Sequence, residues 1–178
     1  MAFEYKYDKG KYKVFLKEKS KPQQHSFNYP LQLVRVPGEE THKRLIERGS
    51  ENLSKELARL VESDAIISSS SKHADTYSIS MKGNRIIVFG TDGLFDNLFI
   101  YEITSIIQEY LKSISGTKDS FTPSDSVAYG LSKLLTKRAY FKTKDPTSKT
   151  PFQKEYYKAK GRKYIGGKID DITTLVVF

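Results

Sequence analysis

Two short acidic stretches hold the residues of this sequence best suited to chemistry. The first is Phe89-Gly90-Thr91-Asp92-Gly93-Leu94-Phe95-Asp96-Asn97, and the second is Gly166-Gly167-Lys168-Ile169-Asp170-Asp171-Ile172-Thr173. In the first, an apolar run ends and at once presents Asp92, then a glycine and an apolar pair. A carboxylate placed there must be hydrogen-bonded, ion-paired or metal-bound, because burying a bare charge is costly. Asp96 stands at an expected helix start, where service as an N-cap accounts for it. In the second stretch, Asp170 and Asp171 repel one another ahead of an apolar strand. A divalent cation relieves that repulsion, and so does Lys168. Spacing alone leaves both readings open, turn and capping duty on one side and a metal site on the other. The chain has no cysteine and only three histidines, His25, His42 and His73, far apart in sequence. That excludes disulfides, a thiolate nucleophile and a His/Cys zinc site, so any metal here sits on oxygen ligands.

The elements that must position these residues follow from periodicity. Phe3-Glu4-Tyr5-Lys6-Tyr7 and Tyr12-Lys13-Val14 alternate apolar and charged residues around Asp8-Lys9-Gly10, which predicts a hairpin with one wet face. Residues 20–38 contain Pro22, Pro30, Pro37 and Gly38 and read as an irregular, extended connection. Residues 41–62 predict one or two short helices broken near Gly49, and Ser68 to Ser71 a mobile loop. Residues 76–80 and 85–91 predict paired strands around Lys82-Gly83-Asn84, the second apolar enough to be buried on both faces. Three helices are expected, at 97–115, 124–140 and 151–160. Gly116 marks the end of the first. Ser124 caps the second. Thr150, Pro151 and Gly161 frame the third. Residues 172–178 close the chain as a strand.

At 178 residues the chain falls in the one-domain range. No apolar run approaches the ~20 residues that a membrane-spanning helix needs, and no secretory h-region follows Met1, which points to an intracellular protein. Basic residues are concentrated late: residues 131–168 carry 12 Lys and Arg against 2 Asp and Glu. Such a field attracts anionic partners in general, but no aromatic-interleaved RNA motif accompanies it, so nucleic acid is not the expected partner.

The stretch RIIVFGTDGLFDN, residues 85–97, resembles the signature strand and turn of the metal-dependent type-2C protein Ser/Thr phosphatases. GGKIDDITTLVV, residues 166–177, resembles that family's final Asp-containing strand. The block QQHSFNYPLQL, residues 23–33, and TPFQKEYYKAKGRKYIGGKIDDIT, residues 150–173, narrow the similarity to the mitochondrial branch. The resemblance runs over nearly the whole chain. It implies an α+β fold that is part of an α–β–β–α four-layer sandwich, with residues 1–178 as a C-terminal portion of the catalytic domain. The N-terminal motifs of that family, a Glu-Asp pair, Asp-Gly-(His/Val)-Gly-Gly and a Gly-Asp-Ser strand, are not in this sequence.

By resemblance, Asp92 and Asp170 are metal ligands, and Asp96, Asp171 and Gly93 surround them. No catalytic residue beyond the metal ligands is implied. The cofactor would be Mn²⁺ or Mg²⁺, two ions in the complete family site, which activate a water for in-line attack on phosphorus. The implied activity is hydrolysis of phosphoserine and phosphothreonine in a phosphoprotein substrate, at a mitochondrial location. This chain alone is expected to be inactive, and the alternative is a non-catalytic half-fold that serves as a binding or regulatory module. Half of a sandwich leaves one sheet face uncovered, so self-association through that face is expected. His25 is expected to be structural, and His42 and His73 to lie on the surface.

Overall fold

The computed structural model describes residues 1–34, 39–62, 66–68, 72, 74–115 and 122–178. Its elements, in chain order, are β1 (Ala2–Asp8), β2 (Lys11–Glu18), β3 (Gln24–Ser26), β4 (Tyr29–Pro30), β5 (Gln32–Val34), α1 (Glu39–Glu47), α2 (Glu51–Glu62), β6 (Ile66–Ser68), β7 (Arg85–Gly90), α3 (Asp92–Phe95), α4 (Ile100–Ser115), α5 (Asp125–Lys144), α6 (Pro151–Lys160) and β8 (Thr174–Val177). The architecture is α+β. Two compact units divide the chain, one of Met1–Ser20 with Ser78–Phe178 and one of Lys21–Tyr77.

The larger unit is built on a four-stranded sheet in the order β2-β1-β7-β8, antiparallel throughout. The expected hairpin forms: Asp8 pairs with Lys11 across Lys9 (φ 48°) and Gly10 (φ 79°), two left-handed residues that match the twist of the strands. α4 packs over β2 and α5 over β8, on one face of the sheet. Ile103, Ile107 and Leu111 from α4 and Leu131, Leu135 and Ala139 from α5 are fully buried against Phe3, Tyr5, Val14, Ile86, Val88 and Val176. The spacing of these helix residues is the 3.6-residue stripe that faces a core. Hydroxyls tie helices to strands at the rim. Tyr12 OH lies 2.7 Å from Ser115 Oγ, and Ser132 Oγ donates to the Thr174 carbonyl at 2.5 Å.

The opposite face has two characters. On β7 and β8 it carries Ile87, Phe89, Leu175 and Val177, with Phe89 51% and Leu175 59% exposed. On β1 and β2 it is charged, with Glu4 receiving Lys6, Lys17 and Arg85 at 3.1–3.6 Å.

In the smaller unit β3 and β4 form a tight antiparallel pair around Asn28 (φ 55°), and β5 runs parallel to β6. The stretch expected to be irregular therefore contains three short strands. α1 and α2 are the two helices expected there, separated at Gly49. His42, expected on the surface, is half-buried between them, its Nδ1 2.8 Å from Ser54 Oγ. His25 is exposed and lies against the Tyr29 ring. Ser69 to Ser71, His73, Pro37, Gly38 and Gly116 lie outside the described residues.

One strand prediction fails. Residues 76–80 form no strand, because both edges of β7 are already taken, by β1 (Phe3 opposite Ile86) and by β8 (Val177 opposite Ile87). Burial of β7 on both faces holds for Ile86, Ile87 and Val88 and ends at Phe89. The three late helices begin and end at Ile100–Ser115, Asp125–Lys144 and Pro151–Lys160, with Ser124 and Thr150 as side-chain N-caps and Gly161 as a left-handed C-cap. Leu111 has no exposed surface. Leu111→Ala is expected to destabilise the larger unit by about 2–5 kcal/mol in urea unfolding, through lost burial and the cavity it leaves.

Candidate metal centre

The site lies where β7 ends and the chain approaches β8. Gly90 pairs with Thr174, so both acidic stretches leave the sheet at one edge. Thr91 stitches them together. Its N–H donates to the Thr173 carbonyl (3.1 Å), its hydroxyl donates to the Asp171 carbonyl (2.7 Å), and the Thr173 N–H donates back to that hydroxyl oxygen (3.1 Å). β7 then turns into the single-turn helix α3. Gly93 in this turn is buried, and a Cβ on it would overlap the Asp171 carbonyl oxygen and crowd the Asp170 Cβ. Only glycine lets the second acidic stretch lie this close.

Asn97 completes the frame. It is fully buried, and its amide spends three hydrogen bonds on backbone: Nδ2 donates to the carbonyls of Gly93 and Lys168, both at 2.8 Å, and Oδ1 accepts from Lys168 N–H at 2.9 Å. The two stretches, more than 70 residues apart in sequence, are thus held as one surface.

That surface presents Asp92, Asp96 and Asp170, each offering a carboxylate oxygen within 4.8 Å of the others. The ammonium of Lys168 sits among them, Nζ lying 2.7 Å from Asp96 Oδ2, 2.9 Å from Asp170 Oδ2 and 3.2 Å from Asp92 Oδ2. Burial pushes the Asp96 carboxyl above its usual range, against the pull of Lys168. The hydrogen bond from Lys168 holds Asp170 below its usual range. Burial opposes the charge on Lys168, but hydrogen bonds from its ammonium to Asp96 and Asp170 outweigh that, and its pKa lies above the ordinary lysine range.

The expected site residues therefore fall into two groups. Asp92, Asp96 and Asp170 come together, with Gly93 beneath them. Asp171 is exposed, and its backbone carbonyl takes the Thr91 hydroxyl. Asp96 is not the N-cap of the next helix. It ends α3, its N–H donating to the Asp92 carbonyl at 2.7 Å, while the Phe99 N–H at the start of α4 donates to Glu102 Oε2 at 2.8 Å. The Asp96 carbonyl accepts the N–H of Phe152, which seats the first turn of α6 at the site. Sequence reasoning singled out neither Thr91 nor Asn97. Their only signal is a polar side chain beside an apolar run, next to each acid.

The donor set is all oxygen, suits a hard cation, and already draws a positive charge to its centre. Oxygens bound to one Mg²⁺ at 2.0–2.1 Å lie at most about 4.2 Å apart, so a spread of up to 4.8 Å accommodates such an ion after a small inward shift or with a bridging water.

No protein-family model matches this sequence. Similar proteins are "Protein phosphatase 2C homolog 7, mitochondrial" of Saccharomyces cerevisiae, 32% identical over 85% of this chain and 37% of its own length, and "Protein phosphatase PTC7 homolog" of Danio rerio, 32% identical over 89% of this chain and 42% of its own. The solved structure of the photosystem II phosphatase PBCP superposes with a TM-score of 0.54 at 25% identity, over 98% of this chain and 54% of that one. In fold and in sequence the chain resembles part of a type-2C protein phosphatase domain, and it spans about two fifths of the length of these two relatives.

Asn97→Ala would leave the Gly93 carbonyl and both backbone groups of Lys168 without these partners. The expected loss is about 2–4 kcal/mol in urea unfolding, from unsatisfied buried groups. Asn97→Asp, which keeps the acceptor but not the donor, is expected to recover only part of it.

Proposed function

We propose that this chain supplies one side of the metal centre of a protein serine/threonine phosphatase, with Asp92 and Asp170 as ligands and Asp96 beside them. The single observation that carries the reading is the convergence of these three carboxylates from the two motifs at one sheet edge. Similarity to proteins named as type-2C phosphatases supports the reaction class. A bound Mn²⁺ or Mg²⁺ would supply the charge that polarises a phosphoryl group and acidifies a water. The chain's own contribution is positional. Thr91 and Asn97 fix the backbones that carry the acids, and Gly93 lets them meet. The substrate is a phosphoserine or phosphothreonine in a protein. The name of the yeast relative supports a mitochondrial location. No described helix is long and apolar enough to cross a membrane.

The sequence contains no Asp-Gly-(His/Val)-Gly-Gly motif to complete the metal set. The chain alone is therefore expected to show no hydrolysis of p-nitrophenyl phosphate in Mn²⁺. Turnover that survives purification and disappears in Asp92→Ala would overturn that. Mn²⁺ binding that is lost in Asp170→Asn supports the metal centre, whereas no Mn²⁺ binding at all favours the half-fold as a binding module.

The apolar outer face at Phe89 and Leu175 supports self-association. Light scattering across a concentration series is expected to show a rising mass that Phe89→Lys suppresses. A strictly monomeric wild-type chain would refute it.

A further inference from the structure

We propose that Lys168 is a tethered competitor of the divalent cation. Its ammonium holds Asp92, Asp96 and Asp170 together in the metal-free chain and must leave before the centre loads, so it sets the metal concentration at which loading occurs. The inference rests on the metal-centre reading above.

Three observations carry it. The first is stoichiometric. An ammonium has three N–H donors, and Lys168 Nζ has three carboxylate acceptors, Asp96 Oδ2 at 2.7 Å, Asp170 Oδ2 at 2.9 Å and Asp92 Oδ2 at 3.2 Å. These are the three residues whose oxygens form the candidate cation site, so lysine and metal claim the same ligands.

The second is that the lysine is placed and not merely nearby. Asn97 grips its backbone on both sides, through N–H at 2.9 Å and carbonyl at 2.8 Å. The side chain is only 16% exposed, and Nζ lies 5.1 Å from the centre of the Phe152 ring. A surface lysine loses rotamer freedom to reach an acid and gains little; here the frame that builds the acidic cluster also delivers the cation.

The third is spatial. Carboxylate oxygens up to 4.8 Å apart surround an ammonium at 2.7–3.2 Å, whereas Mg²⁺ and similar ions draw oxygens in to about 2.0–2.1 Å. A divalent ion at the centre and an ammonium within hydrogen-bond reach of the same oxygens repel strongly in this partly buried setting. Loading therefore means exchange: the lysine swings out and the carboxylates close in. A tethered competitor acts at a high effective concentration that no dilution removes.

The test is direct Mn²⁺ binding to the full 178-residue chain, read by the electron paramagnetic resonance signal of free Mn²⁺ at fixed pH and ionic strength. Wild type, Lys168→Met, Lys168→Gln, Lys168→Arg and Asp170→Asn are compared, each checked for folding by circular dichroism. Lys168→Met and Lys168→Gln are expected to bind Mn²⁺ about tenfold tighter or more, within the usual range of coupling between competing ligands. Lys168→Arg, which keeps the charge, stays near wild type. The melting temperature provides a second readout. The two neutral variants melt lower than wild type without metal and regain the loss when Mn²⁺ is added, because three acids then have a counter-charge again. If Asp170→Asn abolishes binding while the neutral variants bind no tighter than wild type, the competition is refuted and the metal centre stands. If neither wild type nor Lys168→Met binds Mn²⁺ at millimolar concentration, the metal-centre reading fails and the competition fails with it.

Discussion

Three carboxylates gathered on one sheet edge require a positive charge among them, and much of the local structure is organised around that requirement. Like charges within a few ångströms in a partly buried setting repel by several kcal/mol unless compensated. Burial raises the Asp96 carboxyl above the ordinary range even with Lys168 Nζ at 2.7 Å, and the charges of Asp92 and Asp170 add to that rise. The compensation depends on backbone placement. Asn97 holds the residue that carries the ammonium, and Thr91 holds the loop that carries Asp170. Gly93 removes the side chain that would keep the two stretches apart.

The sheet supplies the distance scale. β7 and β8 are antiparallel neighbours, so the exit of one and the entry of the other meet at the same edge, with Gly90 opposite Thr174. Any slip of one residue in that register would move Asp92 away from Asp170 and turn the core face of β8 outward. Val176 in the core, Ser132 on the Thr174 carbonyl and Thr136 on the Thr174 hydroxyl all oppose such a slip. Packing of α5 over β8 thus acts on the geometry of the acids, although α5 contributes none of them.

What the sequence made legible is mostly local. The β1–β2 hairpin follows from strict alternation around Lys9-Gly10, and Ser124, Thr150 and Gly161 mark helix ends because caps satisfy nearby backbone groups. Asp92 and Asp170 stand out because carboxylates beside apolar strands need partners, and Lys168, two residues before Asp170, is a counter-charge visible in the sequence itself. The non-local features were not legible. Residues 76–80 have the composition of a strand but find no free edge on β7, and nothing near them in sequence reveals that β1 occupies the place. Asn97 and Thr91 look like ordinary turn residues until the partner segment, more than 70 residues away, is brought to them. Asp96 stands where a helix start is expected from sequence, but α4 begins only at Ile100 and the Phe99 N–H there is capped by Glu102.

The position of β1 bears on how such a chain comes off the ribosome. β1 is an interior strand of the sheet, flanked by β2 and by β7, and the amino group of Met1 donates to the Val88 carbonyl at 2.8 Å across 87 positions. β1 therefore waits for a strand made more than 80 residues later. Translation at roughly 5–20 residues per second makes that wait several seconds, far longer than hairpin formation. Throughout that interval the β1–β2 hairpin stands with the apolar side chains of Phe3, Tyr5 and Val14 bare and with the β1 edge that β7 fills still open. This stretch of the nascent chain is thus at its stickiest between the emergence of β2 and that of β7, which is when a chaperone would have the most to hold on it.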